Sequence, residues 1–446
     1  MKNKISIADI NRLAIPAILY NITEPLMGLV DLAIIGKIAE NSTEAQGGVG
    51  LAVGLISTLV WGLAQVRTAI SAQVGKFLGM KELSKIKSLV PQSLYLSLFL
   101  GFFFWMLTVA FYQPISAFLF HNTDSLTLDF SLDYYKIRAI GLPISLFIAG
   151  VFGVFRGYQN TSWAMKISLI GGAVNLLLDL VLVHGYSTII PAMGVKGAAI
   201  ASLIAQGIMF FLSIYFLIKK TPFNLNPTLK LNPELKTTLK LTINMLIRTL
   251  ALNATFILAL RFANNYGKDA LSTYAVGINI WLFSSFFIDG YSNAGNAIAG
   301  KLLGEKDIEK LAHLGQYLIK INFFVASGLS IVYLLSTNLI GHLYFNETTE
   351  PIFLTFFWVI IIAQPINSIA YSLDGIFKGL GEAKTLRNIL LSGTFLIFIP
   401  LIFLFDYLNF NLLGIWFSFL AWMIWRAGSL LFLFKKHLAT LRTVEG

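Results

Sequence analysis

Twelve apolar runs of about twenty residues each constrain this chain more than any other feature of its sequence. At a rise of ~1.5 Å per residue, a helix of that length crosses the ~30 Å hydrocarbon layer of a bilayer. Of the 446 residues, 56% are hydrophobic and only 12% are charged, which excludes an ordinary soluble globular protein. The sequence therefore predicts an all-α polytopic membrane protein. The predicted helices span residues 11–36, 48–74, 89–112, 131–155, 163–184, 195–218, 238–264, 270–300, 313–337, 351–378, 386–405 and 411–434.

The basic residues predict the orientation of these helices. Most of the 33 Lys and Arg residues fall in alternate loops, whereas the opposite loops hold mainly Asp and Glu. By the positive-inside rule, this places both termini in the cytoplasm of a cell whose plasma (inner) membrane holds the protein. The net charge of +11 is thus a topology signal, and we expect no nucleic-acid partner.

Two segments recur in the second half of the chain. VGKFLGMKELSKI at residues 74–86 is repeated as AGKLLGEKDIEKL at residues 299–311, 225 positions later. The stretch 143–157 likewise resembles 365–379, with the Pro-Ile start and the final Gly retained. Because six helices is an even number, both halves enter the membrane in the same direction, which predicts a parallel repeat.

The repeat predicts two pseudo-symmetric six-helix bundles facing each other across a cleft. The longest polar stretch contains three prolines and reads as the linker between them. The predicted domains are an N-terminal lobe at 1–218, a cytoplasmic linker at 219–237 and a C-terminal lobe at 238–446.

Acidic side chains inside the predicted helices are the strongest functional signal. An ionised Asp at membrane depth costs at least ~2.5 kcal/mol, so it needs a partner, water or a proton. Asp31 and Asp179 lie at the same predicted depth, and Asn175 is one helical turn from Asp179 on the same face. Two adjacent carboxylates cannot both ionise cheaply, so these residues form a candidate coupling site for H⁺ or Na⁺. The alternative is a structural hydrogen-bond network between helices.

Further polar residues are assigned to a substrate cavity. They are Asn21, Glu24, Asp289, Asn293 and Asn296. Glu24 could equally cap the backbone groups freed by Pro25. Pro16 and Pro25 each remove a backbone hydrogen bond and permit the first helix to bend. Charged residues near helix ends are typical of interfacial anchors, and this group comprises Arg67, Arg138, Lys320, Asp374 and Arg426.

The sequence offers little for catalysis. It contains no cysteine, and its five histidines lack metal-ligand spacing. We expect no catalytic residues, no cofactor and no metal beyond Na⁺ at Asp31, Asn175 and Asp179. The chain is not predicted to be an enzyme.

Several motifs resemble those of the multidrug and toxic compound extrusion (MATE) transporters, specifically the branch of DNA-damage-inducible protein F. They are AIPAILYNITEPLMGLVDLAIIGK in the first helix, GGVGLAVG at 47–54, GVFRGYQNT at 153–161, RTLALNATF at 248–256 and DGYSNAGNAIAGK at 289–301. The resemblance covers nearly the whole chain. It implies outward export of amphipathic, often cationic compounds in exchange for H⁺ or Na⁺. It also implies that Asp31, Asn175 and Asp179 match the family's coupling cluster and that Pro16 matches its helix bend.

One position departs from the family pattern. Asn296 stands where bacterial members of the branch often have Glu, which weakens the case for a coupling role in the second lobe. The expected partners are small organic substrates and the lipid bilayer, and the expected state is a monomer. The competing interpretation is a flippase or exporter of lipid-linked precursors or metabolites with the same two-lobe architecture.

Overall fold

A computed structural model of the chain describes residues 5–38, 40–119, 124–186 and 189–445; the side chains of Glu24, 117–119 and 444–445 lie outside this description. The described residues are almost entirely helical. The α-helices are α1 (Ile7–Ile35), α2 (Ser42–Leu63), α3 (Val66–Gly79), α4 (Leu89–Ala110), α5 (Tyr112–Leu119), α6 (Ser125–Arg138), α7 (Leu142–Gly157), α8 (Ser162–His184), α9 (Gly194–Lys220), α10 (Leu235–Asn265), α11 (Lys268–Glu305), α12 (Ile308–Leu335), α13 (Thr337–Tyr344), α14 (Thr349–Gly379), α15 (Ala383–Ser392), α16 (Ile399–Tyr407) and α17 (Asn411–Glu445).

Within the described residues, twelve segments are long and apolar enough to cross a membrane, which confirms the predicted number. Three of them join consecutive helices, namely α2 with α3, α6 with α7, and α15 with α16. A 3₁₀ turn at Leu83–Ile86 leads into α4, and a π-helical turn at Gly393–Phe398 joins α15 to α16. The twelve-helix all-α fold predicted from the sequence is therefore correct.

Two short helices were not predicted from the sequence. The helix α5 follows the third long segment, and α13 follows the ninth. Their start and end positions, 112 and 119 against 337 and 344, differ by the same 225 positions that separate the repeated motifs. The internal repeat therefore extends to elements whose eight-residue length is below the threshold of a membrane-span search.

The two halves differ in how their long segments are interrupted. In the first half, α2 ends at Leu63 before α3 begins, and a 3₁₀ turn at Ala139–Gly141 precedes α7. In the second half, α11 runs unbroken for 38 residues, and α14 continues through Pro365. Proline at the first turn of a helix costs no backbone hydrogen bond, so Pro143 lies in the first turn of α7, whereas its counterpart Pro365 lies inside the continuous α14.

The described residues form two compact units by their contacts. One unit contains residues 1–18, 75–81 and 240–446, and the other contains residues 19–74 and 82–239. We refer to these as the C-terminal unit and the N-terminal unit. The helix α1 passes from the first to the second between residues 18 and 19, just after Pro16. The predicted domain limits of 1–218 and 238–446 remain a prediction.

Aromatic side chains fill the core of the C-terminal unit. Trp416 is fully buried and stacks on Phe356, with ring centroids 5.4 Å apart and an interplanar angle of 14°. Trp281 and Phe419 flank the same indole at 5.9 and 5.6 Å. Aromatic pairs at such distances add to the stability gained from burial of their area, so this cluster provides a rigid frame for polar residues on α10, α14 and α17.

The segment 219–237 is ordered against the N-terminal unit. Asn232 donates to the Lys85 carbonyl and to the Ser88 hydroxyl, both at 2.9 Å. The backbone N–H of Asn232 donates to Gln92 Oε1 at 2.9 Å, and Phe223 is buried. The sequence predicts a linker here, and the structure adds that hydrogen bonds such as these fix its path.

The repeated glycine motif forms a close helix crossing within the C-terminal unit. The Gly75 backbone approaches Gly300, and Gly79 lies against the Lys301 carbonyl. Gly304 lies reciprocally against the Lys76 carbonyl. Because the contacts are with backbone, a side chain at Gly79 or Gly304 has no room.

We predict that Gly304→Ala destabilises the protein by about 1–3 kcal/mol, because its Cβ would overlap the Lys76 carbonyl. Gly328→Ala in α12 is the matched control, since a Cβ there meets no atom within 4 Å and alanine favours a helix by about 0.5–1 kcal/mol. Thermal unfolding in detergent measures both. Equal midpoints for the two variants would show that the crossing does not contribute to stability.

Candidate functional site

The three predicted coupling residues come together in the N-terminal unit. Asp31 lies on α1, while Asn175 and Asp179 share one face of α8. Their exposed fractions are 6%, 1% and 0%, so all three side chains are withdrawn from solvent. The sequence thus predicted correctly that these residues are neighbours, whereas their role in coupling remains a prediction.

Hydrogen bonds link the three residues through Ser202 on α9. The Asn175 amide donates to Asp179 Oδ2 at 2.8 Å and lies 3.4 Å from the Ser202 hydroxyl. Ser202 donates to Asp31 Oδ2 at 3.5 Å. Asp31, Asn175, Asp179 and Ser202 are called the acid cluster below.

The acid cluster has too few donors for two carboxylates. Among the described residues, Asp31 Oδ1 and Asp179 Oδ1 are buried without a hydrogen-bond donor. Neither carboxyl group has a basic partner within 4 Å in that part of the chain. The two groups are close enough for one to hydrogen-bond the other when it holds a proton. Since two unpaired buried carboxylates are costly, the geometry favours one shared H⁺ or one Na⁺.

A sodium ion would find suitable ligands in the acid cluster. Carboxylate, amide and hydroxyl oxygens are hard donors that suit small hard cations. No group of three or more His, Cys, Asp or Glu side chains that could hold a metal ion occurs among the described residues. The two carboxyl groups, the Asn175 amide and the Ser202 hydroxyl are the groups whose oxygens would surround a sodium ion.

Sequence reasoning missed three neighbours of the acids. Besides Ser202, the buried Tyr134 on α6 lies beside the Ser202 hydroxyl and within electrostatic range of both carboxyl groups. Arg138, one turn further on, is half-buried and is the basic group that acts on Asp31. Tyr134 and Arg138 are i and i+4, a spacing that could have marked them as one face. The sequence predicts a helix that starts at residue 131, which places Arg138 near its end as an interfacial anchor and gives Tyr134 no role.

A capped helix positions these two residues. Asp124 precedes α6, and its carboxylate accepts from the Thr127 backbone N–H at 2.8 Å. This bond satisfies one of the free N–H groups of the first helical turn. The same backbone N–H lowers the pKa of Asp124, so the cap persists over the physiological pH range.

We predict that Ser202→Ala weakens activation by the coupling ion about three- to tenfold, because a hydrogen bond to a charged group contributes about 1.5 kcal/mol or less net at such a length. The half-maximal external H⁺ or Na⁺ concentration for export measures this. Ser213→Ala, on the same helix and also buried, is the matched control. An unchanged half-maximal concentration in Ser202→Ala would separate the hydroxyl from ion binding.

The first helix continues through both of its prolines. Pro16 and Pro25 are half-buried within the uninterrupted α1, so their predicted function as bending points remains a prediction. Asn21 is half-buried in the N-terminal unit. The side chain of Glu24, a predicted cavity residue, lies outside the described residues.

The remaining predicted cavity residues belong to the C-terminal unit. Asn293 donates to Asp289 Oδ2 at 3.2 Å, which joins these two side chains on α11. Asn293 is 5% exposed and Asn296 is fully buried, so both side chains are enclosed by protein. Their assignment to a substrate cavity remains a prediction.

Asp374 and Arg426 are not interfacial anchors, and that prediction was wrong. Both are 3% exposed and lie in one charged group with Arg248 and Lys378, called the charge cluster. Asp374 Oδ1 is 2.6 Å from Arg248 Nη2, and Asp374 Oδ2 is 2.7 Å from Lys378 Nζ. Arg426 Nη2 lies 3.9 Å from Oδ1. Position along a helix could not reveal this, because the partners come from α10, α14 and α17.

The other predicted anchors differ among themselves. Arg67 donates to the Tyr20 hydroxyl at 2.7 Å within the N-terminal unit. Lys320 is exposed on α12, as an anchor would be. Asn322, a polar residue with no predicted role, is fully buried and donates to the Ile288 carbonyl and to Ser372.

Known proteins share the fold of this chain. The solved structure described as MATE in the bent conformation superposes with a TM-score of 0.89 at 19% identity, covering 98% of this chain and 96% of that one. The two chains therefore share one fold. The sequence profile of the MatE family matches residues 16–181 and 245–404. The chain belongs to the MatE family, as the motifs predicted.

Three relatives illustrate this membership. Protein DETOXIFICATION 43 of Arabidopsis thaliana is 30% identical over 251 residues, which cover 56% of this chain and 46% of that protein. The DNA damage-inducible protein F of Escherichia coli is 27% identical over 383 residues, covering 84% and 81%. The probable multidrug resistance protein NorM of Thermotoga maritima is 25% identical over 432 residues, covering 94% and 90%. The resemblance to the branch of protein F is thus confirmed.

Proposed function

We propose that this chain is a secondary antiporter that exports organic compounds across the plasma membrane in exchange for H⁺ or Na⁺. The observation that carries the proposal is the acid cluster, in which two buried carboxyl groups meet without an ion-pair partner among the described residues. A cation that binds reversibly would stabilise such a pair by neutralising its charge. Family membership supports transport as the activity.

Ion binding would act through α1. When Asp31 is ionised, its negative charge attracts a cationic substrate, and its carboxylate accepts a hydrogen bond from Ser202. When H⁺ or Na⁺ neutralises the pair, the hold on the substrate weakens and the packing of α1 near Pro16 and Pro25 changes. Because α1 continues from the N-terminal unit into the C-terminal unit, a change at Asp31 reaches both.

The proposed substrates are amphipathic, often cationic small molecules. The name of the Thermotoga maritima relative, a probable multidrug resistance protein, supports drugs of more than one kind as substrates. The acid cluster supplies the charge complementarity that a cation needs. No further cofactor is proposed, and the protein is proposed to act as a monomer and not as an enzyme.

A flippase of lipid-linked precursors is the alternative. Its diphosphate head group would need an accessible basic surface. The charge cluster is basic, but its residues are enclosed and already share Asp374. The structure therefore offers less support for this function than for export of organic cations.

Everted membrane vesicles test the proposal. We expect these vesicles to take up a panel of fluorescent organic cations when their lumen is more acidic, or richer in Na⁺, than the medium. Vesicles without the protein should show no uptake. The effective gradient identifies the coupling ion. Uptake of lipid-linked precursors alone, with no cation moved by either gradient, would favour the flippase.

Topology can be tested by single-cysteine labelling, since the natural chain contains no cysteine. With both termini in the cytoplasm, an impermeant maleimide should label Glu347→Cys in intact cells and leave Lys81→Cys unlabelled. Both side chains lie outside the long apolar helices, so both are accessible after permeabilisation. The reverse pattern in intact cells would invert the proposed orientation.

A further inference from the structure

The charge cluster contains more positive charge than its acids balance. Arg248, Lys378 and Arg426 surround the single carboxylate of Asp374. Asp289 is the next acid, close enough to act on Tyr371, and it is already hydrogen-bonded by Asn293. Among the side chains that the structure describes, three bases of this cluster face two acids even with Asp289 included. Excess charge of one sign is costly in an enclosed site inside a bilayer.

The two guanidinium groups also have unused donors. Each arginine carries five N–H groups in a planar fork. Within the described residues, Arg248 donates to Asp374 through Nη2, and its buried Nε has no acceptor. Arg426 donates to the sulfur of Met423 at 3.2 Å, a weak acceptor, and lies beyond hydrogen-bond distance of Asp374. Arg248 is 8% exposed and Arg426 is 3% exposed, so bulk water does not replace the missing acceptors.

We infer that the charge cluster is a binding site for a small anion, either a halide or a single carboxylate group. An anion between Arg248 and Arg426 would accept from both guanidinium groups and offset the excess charge. Lys378, whose side chain is 14% exposed, is the most accessible of the three bases and marks the side from which the anion enters. The enclosed geometry excludes a bulky diphosphate.

The surroundings of Arg426 favour a fixed position for this arginine. Its guanidinium lies 4.9 Å from the centre of the Trp422 ring and 5.7 Å from that of Tyr371. Tyr371 is held in turn by a 3.1 Å hydrogen bond to Ser285. Stacked in this way, Arg426 is preorganised to present its N–H edge to an acceptor. An anion beside it also changes the environment of the Trp422 indole, which supplies an optical signal.

The site is distinct from the acid cluster in location and sign. The acid cluster lies in the N-terminal unit and attracts cations, whereas the charge cluster lies in the C-terminal unit and attracts anions. Anion binding can therefore be measured without transport. If no anion binds, the proposed antiport is not contradicted.

The test is anion titration of the purified full-length protein in nanodiscs, starting from buffer with a bulky organic sulfonate as the only anion. We expect sodium bromide and sodium acetate to raise the midpoint of thermal unfolding with saturation, since a ligand of the folded state stabilises it. Trp422 fluorescence should change over the same concentrations. Trp422→Phe should lose the fluorescence change, which would assign the optical signal to this indole.

Arg426→Gln should weaken the apparent affinity at least tenfold. Arg261→Gln, an exposed arginine on α10, is the matched control and should behave as the wild type, so general salt effects cancel. If Arg426→Gln does not fold, Lys378→Gln at the accessible edge replaces it and should also weaken the apparent affinity for the anion.

If bromide binds and acetate does not, the ligand of the site is an inorganic anion. If bromide and acetate compete for the site, its ligands include carboxylates. Absence of any saturable response in the wild type, or equal responses of the cluster variants and Arg261→Gln, would overturn the inference.

Discussion

Gradient-driven export should fall at least tenfold in the Asp31→Asn variant, while the protein should still fold and insert. The amide keeps the shape of the carboxylic acid and can still accept from Ser202, so the packing of α1 against α9 is retained. It cannot gain or lose a proton and is a poorer ligand for Na⁺, so the cycle of ion binding and release stops. Efflux of a fluorescent cation from cells, normalised to protein in the membrane, measures the loss.

Asp133→Asn is the control for this variant. Asp133 also lies in the N-terminal unit, but its side chain is 45% exposed and pairs with Lys196 at 3.3 Å. Export should be unaffected there. Full export by Asp31→Asn at normal expression would make the carboxylate structural, and Asp289 would then be the first candidate for coupling.

The variant Asp374→Asn should lose about 3 kcal/mol of stability or more. Removing this carboxylate leaves Arg248 and Arg426 buried without their shared counter-charge, and such uncompensated charge is among the most destabilising single changes. The loss should appear as a large drop in the thermal unfolding midpoint in detergent. Asp374 and its partners lie in the C-terminal unit. In protein that remains folded, we therefore expect export to depend on H⁺ or Na⁺ as in the wild type.

Glu309→Gln provides the comparison. Glu309 pairs with Arg442 at 2.9 Å in the same unit, but both side chains are more than half exposed. Exposed pairs contribute little, so this change should leave the midpoint within error. If Asp374→Asn were as stable as Glu309→Gln, the charge cluster would not hold α10, α14 and α17 together.

The sequence predicted features that depend on one helix at a time. Span number followed from apolar length, and the pairing of Asn175 with Asp179 followed from helical spacing. The proximity of Asp31 was also predictable, because depth in a bilayer can be counted along each helix. The bilayer thus supplies a coordinate that soluble proteins lack.

Features that need three helices at once were not predictable. Ser202 joins the two acids from α9, yet a lone serine in an apolar helix is common. Asp374 and Arg426 lie near the ends of their predicted helices, and nothing along either helix shows that they contact each other and Arg248 on α10. Which side chains face each other is set by packing angles between helices, and these do not follow from spacing along the chain.

The most direct test of the coupling site is equilibrium binding of one fluorescent organic cation to the purified protein in nanodiscs, as a function of pH and Na⁺ concentration. In the wild type, H⁺ or Na⁺ should weaken substrate binding, and by reciprocity the substrate should weaken ion binding equally. Asp31→Asn and Asp179→Asn should each bind with an affinity that no longer depends on the coupling ion. Retention of the full wild-type ion dependence in both variants would contradict the assignment of ion coupling to the acid cluster.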